Sequence, residues 1–230
     1  MVSHAVEDYL KAIYALAEES RRVSTSALSE RLNIKPGSVT GMLQKLADPE
    51  QQKPPLLNYE RHHGVTLTPA GQRLALKVIR HHRLLELYLA EALGYAWDQV
   101  HGEAEKLEHV ISEEFEDRIS AFLGDPKRDP HGDPIPAKDG AIDPSCRTTL
   151  TDMDAGQHGR VARVRDDDPA LLRYLREVGL VPDAAVAVDR RAPFDGPLHV
   201  RVGEAPAQAL GREVTDRVFV DIASDAGASG

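Results

Sequence analysis

Apolar residues recur at steps of three and four from the start of the chain. Val6, Tyr9, Leu10, Ile13 and Leu16 predict an amphipathic helix over residues 4–19. The cluster Ser24-Thr25-Ser26, any member of which can cap, precedes a short helix whose Leu28 and Leu32 share a face. Asn33-Ile34-Lys35-Pro36-Gly37 reads as a turn, with Pro36 suited to the first position of the next helix. There, Val39, Met42, Leu43 and Leu46 form one narrow apolar stripe. Two short helices joined by such a turn make a helix-turn-helix. Its second helix presents Ser38, Thr40, Gly41, Gln44 and Lys45 outward, and Lys35 and Gly37 open it. These are small, polar or basic groups that can approach phosphates and base edges. After a Pro-rich loop at 48–55, the strand-like runs 56–60 and 65–67 flank Arg61-His62-His63-Gly64. That hairpin is a wing, with Arg61 placed to reach a minor groove or a phosphate.

The remaining pattern divides into three. Thr68-Pro69 opens a long helix running to about Ala92, with Gly94 ending it. A second long helix is expected from Glu103 to Leu123, carrying Leu107, Val110, Ile111, Phe115, Ile119 and Phe122. Its stripe is wide for one neighbour, which suggests a dimer mate. Residues 124–148 hold Pro126, Pro130, Gly132, Pro134 and Pro136 and cannot sustain a helix or inner strand, so they form a linker or an ordered extended arm. From residue 149, alternating runs at 159–164, 185–188, 198–202 and 218–220, with a short helix at 169–178, predict a small β-barrel. The expected domains are 1–73, 74–123, 124–148 as linker, 149–223, and a loose tail at 224–230.

Composition refines this picture. Net charge is −9 over 230 residues, which argues against nucleic acid until its distribution is read. Residues 1–83 carry 12 Lys/Arg against 8 Asp/Glu, and the remainder carries 16 against 29. A basic head on an acidic body suits a DNA-binding regulator. A single cysteine, Cys146, and the lack of a long apolar run or signal-like start predict a cytoplasmic protein with no membrane segment.

Candidate chemistry sits on the two long helices. His101, Glu105, Glu108 and His109 are spaced to share one face of a helix, and His82 and Glu86 stand at i and i+4. Asp8 lies on the first helix. Histidine and carboxylate pairs at this spacing converge on divalent metals. Enzyme readings are weak. Glu105-x-x-Glu108-His109 lacks the first His of an inverted zinc-protease motif. No Glu-x-x-His pair accompanies it for a di-iron bundle. A winged-helix regulator of a small organic ligand is the other alternative.

Several ordered segments carry a family resemblance: residues 6–14, 38–46, 67–71, 80–86, 100–110, 132–136 and 172–180. Together they make residues 4–222 resemble the diphtheria toxin repressor, or iron-dependent repressor, family. The resemblance implies a mainly α protein with a winged helix-turn-helix, a helical dimerisation domain and a C-terminal SH3-like (FeoA-type) β-barrel. It implies a homodimer reading an inverted-repeat operator in double-stranded DNA, with a metal as corepressor. The primary metal site would use Asp8, Glu105, Glu108 and His109. The ancillary site would use His82, Glu86 and His101, with Asp168 from the barrel. Asp8 and Glu105 stand where iron-sensing members carry Met and Cys, whereas manganese-sensing members are acidic at both. Oxygen ligands suit Mn(II) better than sulfur does, so Mn(II) is expected and Fe(II) is the alternative. Lys11 stands where short manganese-sensing members place a glutamate, so a close two-metal cluster is not expected. Leu171 stands where the family has a coordinating Gln, and His131 has no assigned role.

Overall fold

The computed structural model describes residues 2–18, 20–165 and 167–223. The proposed tail at 224–230 lies outside them. Contacts divide the chain into two units: residues 1–82 with 107–112 and 136–141, and residues 83–106 with 113–135 and 142–230. Among the described residues no helix is long and apolar enough to cross a membrane.

In the first unit, α1 (His4–Ala17) buries Val6, Tyr9, Leu10 and Ile13 of the predicted stripe together with Ala12, while Leu16 is half-buried. The core joins these to Leu28 of α2 (Thr25–Leu32) and to Val39, Leu43 and Leu46 of α3 (Pro36–Ala47). Ser24 is the cap of α2, its hydroxyl accepting from the Ala27 N–H. Asn33 ends α2 in the left-handed region at φ 53°, and Pro36 takes the first turn of α3. Strands β1 (Leu57–Glu60) and β2 (Gly64–Leu67) form the antiparallel wing. Val23 bridges to Val65 and ties the wing back to the helices. Helix α4 (Pro69–Glu91) follows, its residues up to His82 belonging to this unit. Its Gly71 is required, because a Cβ there would sit 2.1 Å from the Leu56 carbonyl oxygen.

The expected helix from Glu103 to Leu123 is two helices. α5 spans Val100–Leu107 and α6 spans Glu113–Phe122. Residues 108–112 form a turn in which the Val110 N–H donates to the Leu107 carbonyl. Three acids, Glu113, Glu114 and Glu116, crowd the first turn of α6, where the helix dipole favours negative charge. Continuous apolar spacing concealed this restart. Residues 107–112, with Glu108 and His109, fall in the first unit, whereas residues 100–106 of α5 fall in the second.

The second unit holds a five-stranded antiparallel sheet in the order β6-β5-β4-β3-β7, formed by β3 (His158–Val164), β4 (Ala185–Arg191), β5 (Leu198–Val202), β6 (Gln208–Leu210) and β7 (Val218–Ile222). Helix α7 (Pro169–Glu177) buries Leu171, Leu172 and Leu175 on the barrel core, and α8 (Arg212–Thr215) is one turn. The Pro/Gly-rich segment is an ordered arm rather than a loose linker. Asp129, His131, Asp133 and Ile135 are all buried. Gly132 makes this possible at φ 91°, since a Cβ there would meet the Ala162 carbonyl oxygen at 2.2 Å. The His131 carbonyl accepts from the Val164 N–H of β3.

Candidate functional site

Asp8, Glu108 and His109 form one group of potential metal ligands, with donor atoms all within 4.8 Å of one another. Asp8 comes from α1, and the other two come from the turn after α5. His109 Nε2 is 2.9 Å from Asp8 Oδ1 and 3.4 Å from Glu108 Oε1. Its other nitrogen, Nδ1, is 2.6 Å from Glu7 Oε2. The His4 ring stacks on the His109 ring at 4.9 Å.

Glu108 is buried, yet both its oxygens accept from Lys11 Nζ, at 3.0 and 2.8 Å. His82 Nδ1 makes a short contact with Glu108 Oε2 and lies 3.1 Å from Lys11 Nζ. Burial pushes the Glu108 carboxyl up, but His82 and Lys11 together outweigh it and hold it below its usual range. The lysine thus supplies a tethered positive charge beside the group.

Glu105 is exposed and pairs with His101, Nε2 to Oε1 at 3.4 Å. His101 Nδ1 lies 3.2 Å from Glu86 Oε1, so this imidazole sits between two carboxylates. His82 and Glu86 stand one turn apart on α4. Asp168 has a structural task. It is the N-cap of α7, Oδ1 accepting from the N–H groups of Ala170 and Leu171, with Arg217 3.7 Å from Oδ2. Capping at that strand-to-helix junction explains an aspartate there without any ligand.

His82, Glu86 and His101, the residues expected at the ancillary site, are one further candidate ligand group. Another group was not legible as a site. Glu86, Asp129 and His131, all buried, bring donor atoms within 4.8 Å of one another. Glu86 Oε2 lies 3.8 Å from His131 Nδ1, and His131 Nε2 is 3.0 Å from the Trp97 carbonyl oxygen. Asp129 Oδ1 accepts from the backbone N–H groups of His131 and Asp133. Asp129 Oδ2 is buried with no hydrogen-bond partner, and Arg83 Nε is 3.6 Å away. Burial, then the charges of Asp133 and Glu86, push the Asp129 carboxyl up to about 8, against the pull of Arg83 and His131. Burial and the neighbouring acids disfavour the ionised form of this carboxyl, and a bound cation would offset that penalty. All three groups contain only N and O donors, which fits a divalent ion of the harder kind. The sequence signal was Asp129-Pro-His131-Gly-Asp133, three ligating side chains at alternate positions within an arm otherwise built of turn residues.

The proposed nucleic-acid face lies on α3 and the wing. Lys35, Gly37, Ser38, Gln44, Lys45 and Arg61 are exposed, and Thr40 is half-buried. The Thr40 hydroxyl donates back to the Pro36 carbonyl. Gly41 faces open space, where it leaves room for a close backbone approach.

Three family models match in order. They are the iron dependent repressor N-terminal DNA binding domain over residues 1–64, the iron dependent repressor metal binding and dimerisation domain over 68–137, and the FeoA domain over 148–222. The chain is 33% identical over 197 residues to the iron-dependent repressor IdeR of Mycobacterium tuberculosis, covering 80% of this chain and 83% of that protein. It is 35% identical over 123 residues to the HTH-type transcriptional regulator MntR of Geobacillus kaustophilus, covering 54% and 83%. Among solved structures it is similar to a manganese-dependent transcriptional repressor in complex with manganese. That match has 39% identity and a TM-score of 0.85, covering 94% of this chain and 98% of the other.

Proposed function

Because the chain belongs to the diphtheria toxin repressor (iron-dependent repressor) family, whose members are metal-dependent DNA-binding repressors, we propose that it is a Mn(II)-dependent repressor controlling metal homeostasis. It would act as a homodimer on an inverted-repeat operator. The observation that carries this reading is the Asp8–Glu108–His109 group, which offers one nitrogen and carboxylate oxygens and no sulfur. Glu105, four residues before His109, is the proposed fourth ligand and would exchange its ion pair with His101 for that role. Glu86 anchors the proposed ancillary site, either with His82 and His101, as read from sequence, or with Asp129 and His131; both sets are candidate ligand groups. Asp168 remains a helix cap.

A divalent ion bound at the primary group would add positive charge to that of Lys11 among its clustered carboxylates. The chain's own residues do the rest. Asp8 rides on α1, and the apolar face of α1 packs on the core shared with α2 and α3. Holding Asp8 against Glu108 and His109 therefore restrains the helix on which the DNA-reading pair rests. A corepressor acts by favouring the DNA-competent state over the other, and that differential affinity is reciprocal. In a dimer, two α3 helices about 34 Å apart meet successive major grooves. Lys35, Lys45 and Arg61 would take phosphates, while Ser38, Thr40 and Gln44 approach base edges with the backbone at Gly37. Dimerisation is supported by α6, whose Phe115 and Phe122 are 42% and 68% exposed while Glu116 and Ser120 face inward.

Fluorescence anisotropy of a labelled duplex from a manganese-transporter promoter of the source genome tests this, with Mn(II), Fe(II) or chelator at fixed salt. Tight binding with Mn(II), reversed by chelator, is the expected result. A stronger response to Fe(II) would transfer the assignment to iron. Equal binding with and without metal would sink the corepressor role.

A further inference from the structure

His109 is gripped on both ring nitrogens by adjacent residues of α1. Glu7 Oε2 lies 2.6 Å from Nδ1, and Asp8 Oδ1 lies 2.9 Å from Nε2. Neighbouring positions on a helix point about 100° apart, so Glu7 and Asp8 reach around opposite edges of one imidazole. The geometry sorts them into different roles. Nε2 faces Asp8 and Glu108, the other members of the proposed ligand group. Glu7 sits at the far nitrogen, outside that group.

An imidazole ring in a fixed plane still has two orientations, related by a half-turn about the Cβ–Cγ bond, and only one aims Nε2 at the ligand group. Stacking against His4, at 16° between ring planes, holds the plane. Glu7 selects the orientation. It also determines which nitrogen carries the proton, because a carboxylate accepts only from Nδ1–H and so leaves the Nε2 lone pair for coordination. The side chains of His109 and Glu7 are only 9% and 21% exposed, so water competes poorly for this bond.

We propose that Glu7 is a positioning residue of the primary metal site, fixing the orientation and tautomer of His109 without itself coordinating. This rests on the assignment of Asp8, Glu108 and His109 as ligands. A carboxylate behind a ligating histidine typically contributes 10–100-fold in metal affinity. That effect should be separable from the effect of losing a ligand.

The test uses the full-length protein, as wild type and as the Glu7→Gln, Glu7→Ala and Asp8→Ala variants. Mn(II) affinity is measured by calorimetry. ¹⁵N NMR of histidine-labelled protein loaded with diamagnetic Cd(II) reports which His109 nitrogen holds the proton and which the metal, with His109→Gln supplying the assignment. The expected result is a proton on Nδ1 and metal on Nε2 in the wild type. Mn(II) affinity should fall roughly 10–100-fold in Glu7→Ala. Glu7→Gln, whose amide oxygen still accepts from Nδ1–H, should recover most of the loss. Cd(II) on Nδ1, equal losses in the Gln and Ala variants, or a Glu7→Ala affinity within twofold of wild type would each overturn the proposal. If Asp8→Ala abolishes binding while Glu7→Ala does not weaken it, the ligand assignment survives and the role of Glu7 falls. A wild type that takes up no Mn(II) removes both.

Discussion

Two of the ligand groups solve the same electrostatic problem in different ways. At the Asp8–Glu108–His109 group the chain carries its own cation: Lys11 bonds both oxygens of the buried Glu108, and Asp8 remains half-exposed. At the Glu86–Asp129–His131 group all three residues are buried, and one Asp129 oxygen has no hydrogen-bond partner. There the neighbouring acids, with burial, push the Asp129 carboxyl up to about 8. A site compensated in advance and open to water can exchange its ion with little reorganisation. A buried, under-compensated site gains most from retaining one. The first arrangement suits a sensor, and the second suits a structural ion.

The sharpest way to break this contrast is to remove a ligand from each group. His109→Ala should abolish the Mn(II) response in operator binding, a loss of 100-fold or more by anisotropy, while a folded dimer remains. Glu105→Ala should do the same if Glu105 is the fourth ligand, and a retained response would leave it as the partner of His101. His131→Ala should instead remove metal-induced thermal stabilisation while leaving operator binding responsive. One site at a hundredfold excess of ligand over its dissociation constant is worth about 2.7 kcal/mol, which calorimetry resolves. Loss of the operator response in both variants would show that the groups act as one.

Next in size is the tethered cation. Lys11→Met leaves a buried carboxylate without its charged donor, at a cost of about 1.5–3 kcal/mol to the metal-free protein. Urea titration in the presence of chelator measures this. An unchanged midpoint would mean that His82 alone satisfies Glu108.

A further effect is in pH. Native Asp129 holds its proton up to about 8, whereas an unfolded aspartate releases it near 3.9. Folding of the metal-free protein takes up a proton between these values, so this group lowers stability as pH rises through that window. Its slope reaches at most about 1.4 kcal/mol per pH unit. Asp129→Asn should flatten the decline in chelator-treated protein. A slope identical to wild type would place the titration elsewhere.

Much of the molecule was legible because its signals are local. The stripe of α1, the Ser24 cap, Pro36 at the start of α3 and the alternating barrel strands each depend on neighbours within a few positions. The ligand types were also legible, since Asp8 and His109 stand in recognisable segments. One feature misled. Apolar spacing runs unbroken through residues 107–122, so the restart at Glu113 does not appear in the periodicity. The density of proline and glycine in 124–148 marks irregular backbone, which left a linker and an ordered arm open; the burial of Asp129, His131, Asp133 and Ile135 decides for the arm.

The sequence by itself determined most of the elements and the winged helix-turn-helix, because those follow from spacing, and its ordered segments carried the resemblance to the family. Tertiary structure decided which titratable groups meet. Glu7 and His109 are 102 positions apart, and so remote a pairing leaves no periodic trace. Asp129 and His131 became candidate ligands only once Gly132 let the arm lie against β3, bringing them to Glu86. Charge interactions depend on distance and burial, and neither is fixed until the chain has packed.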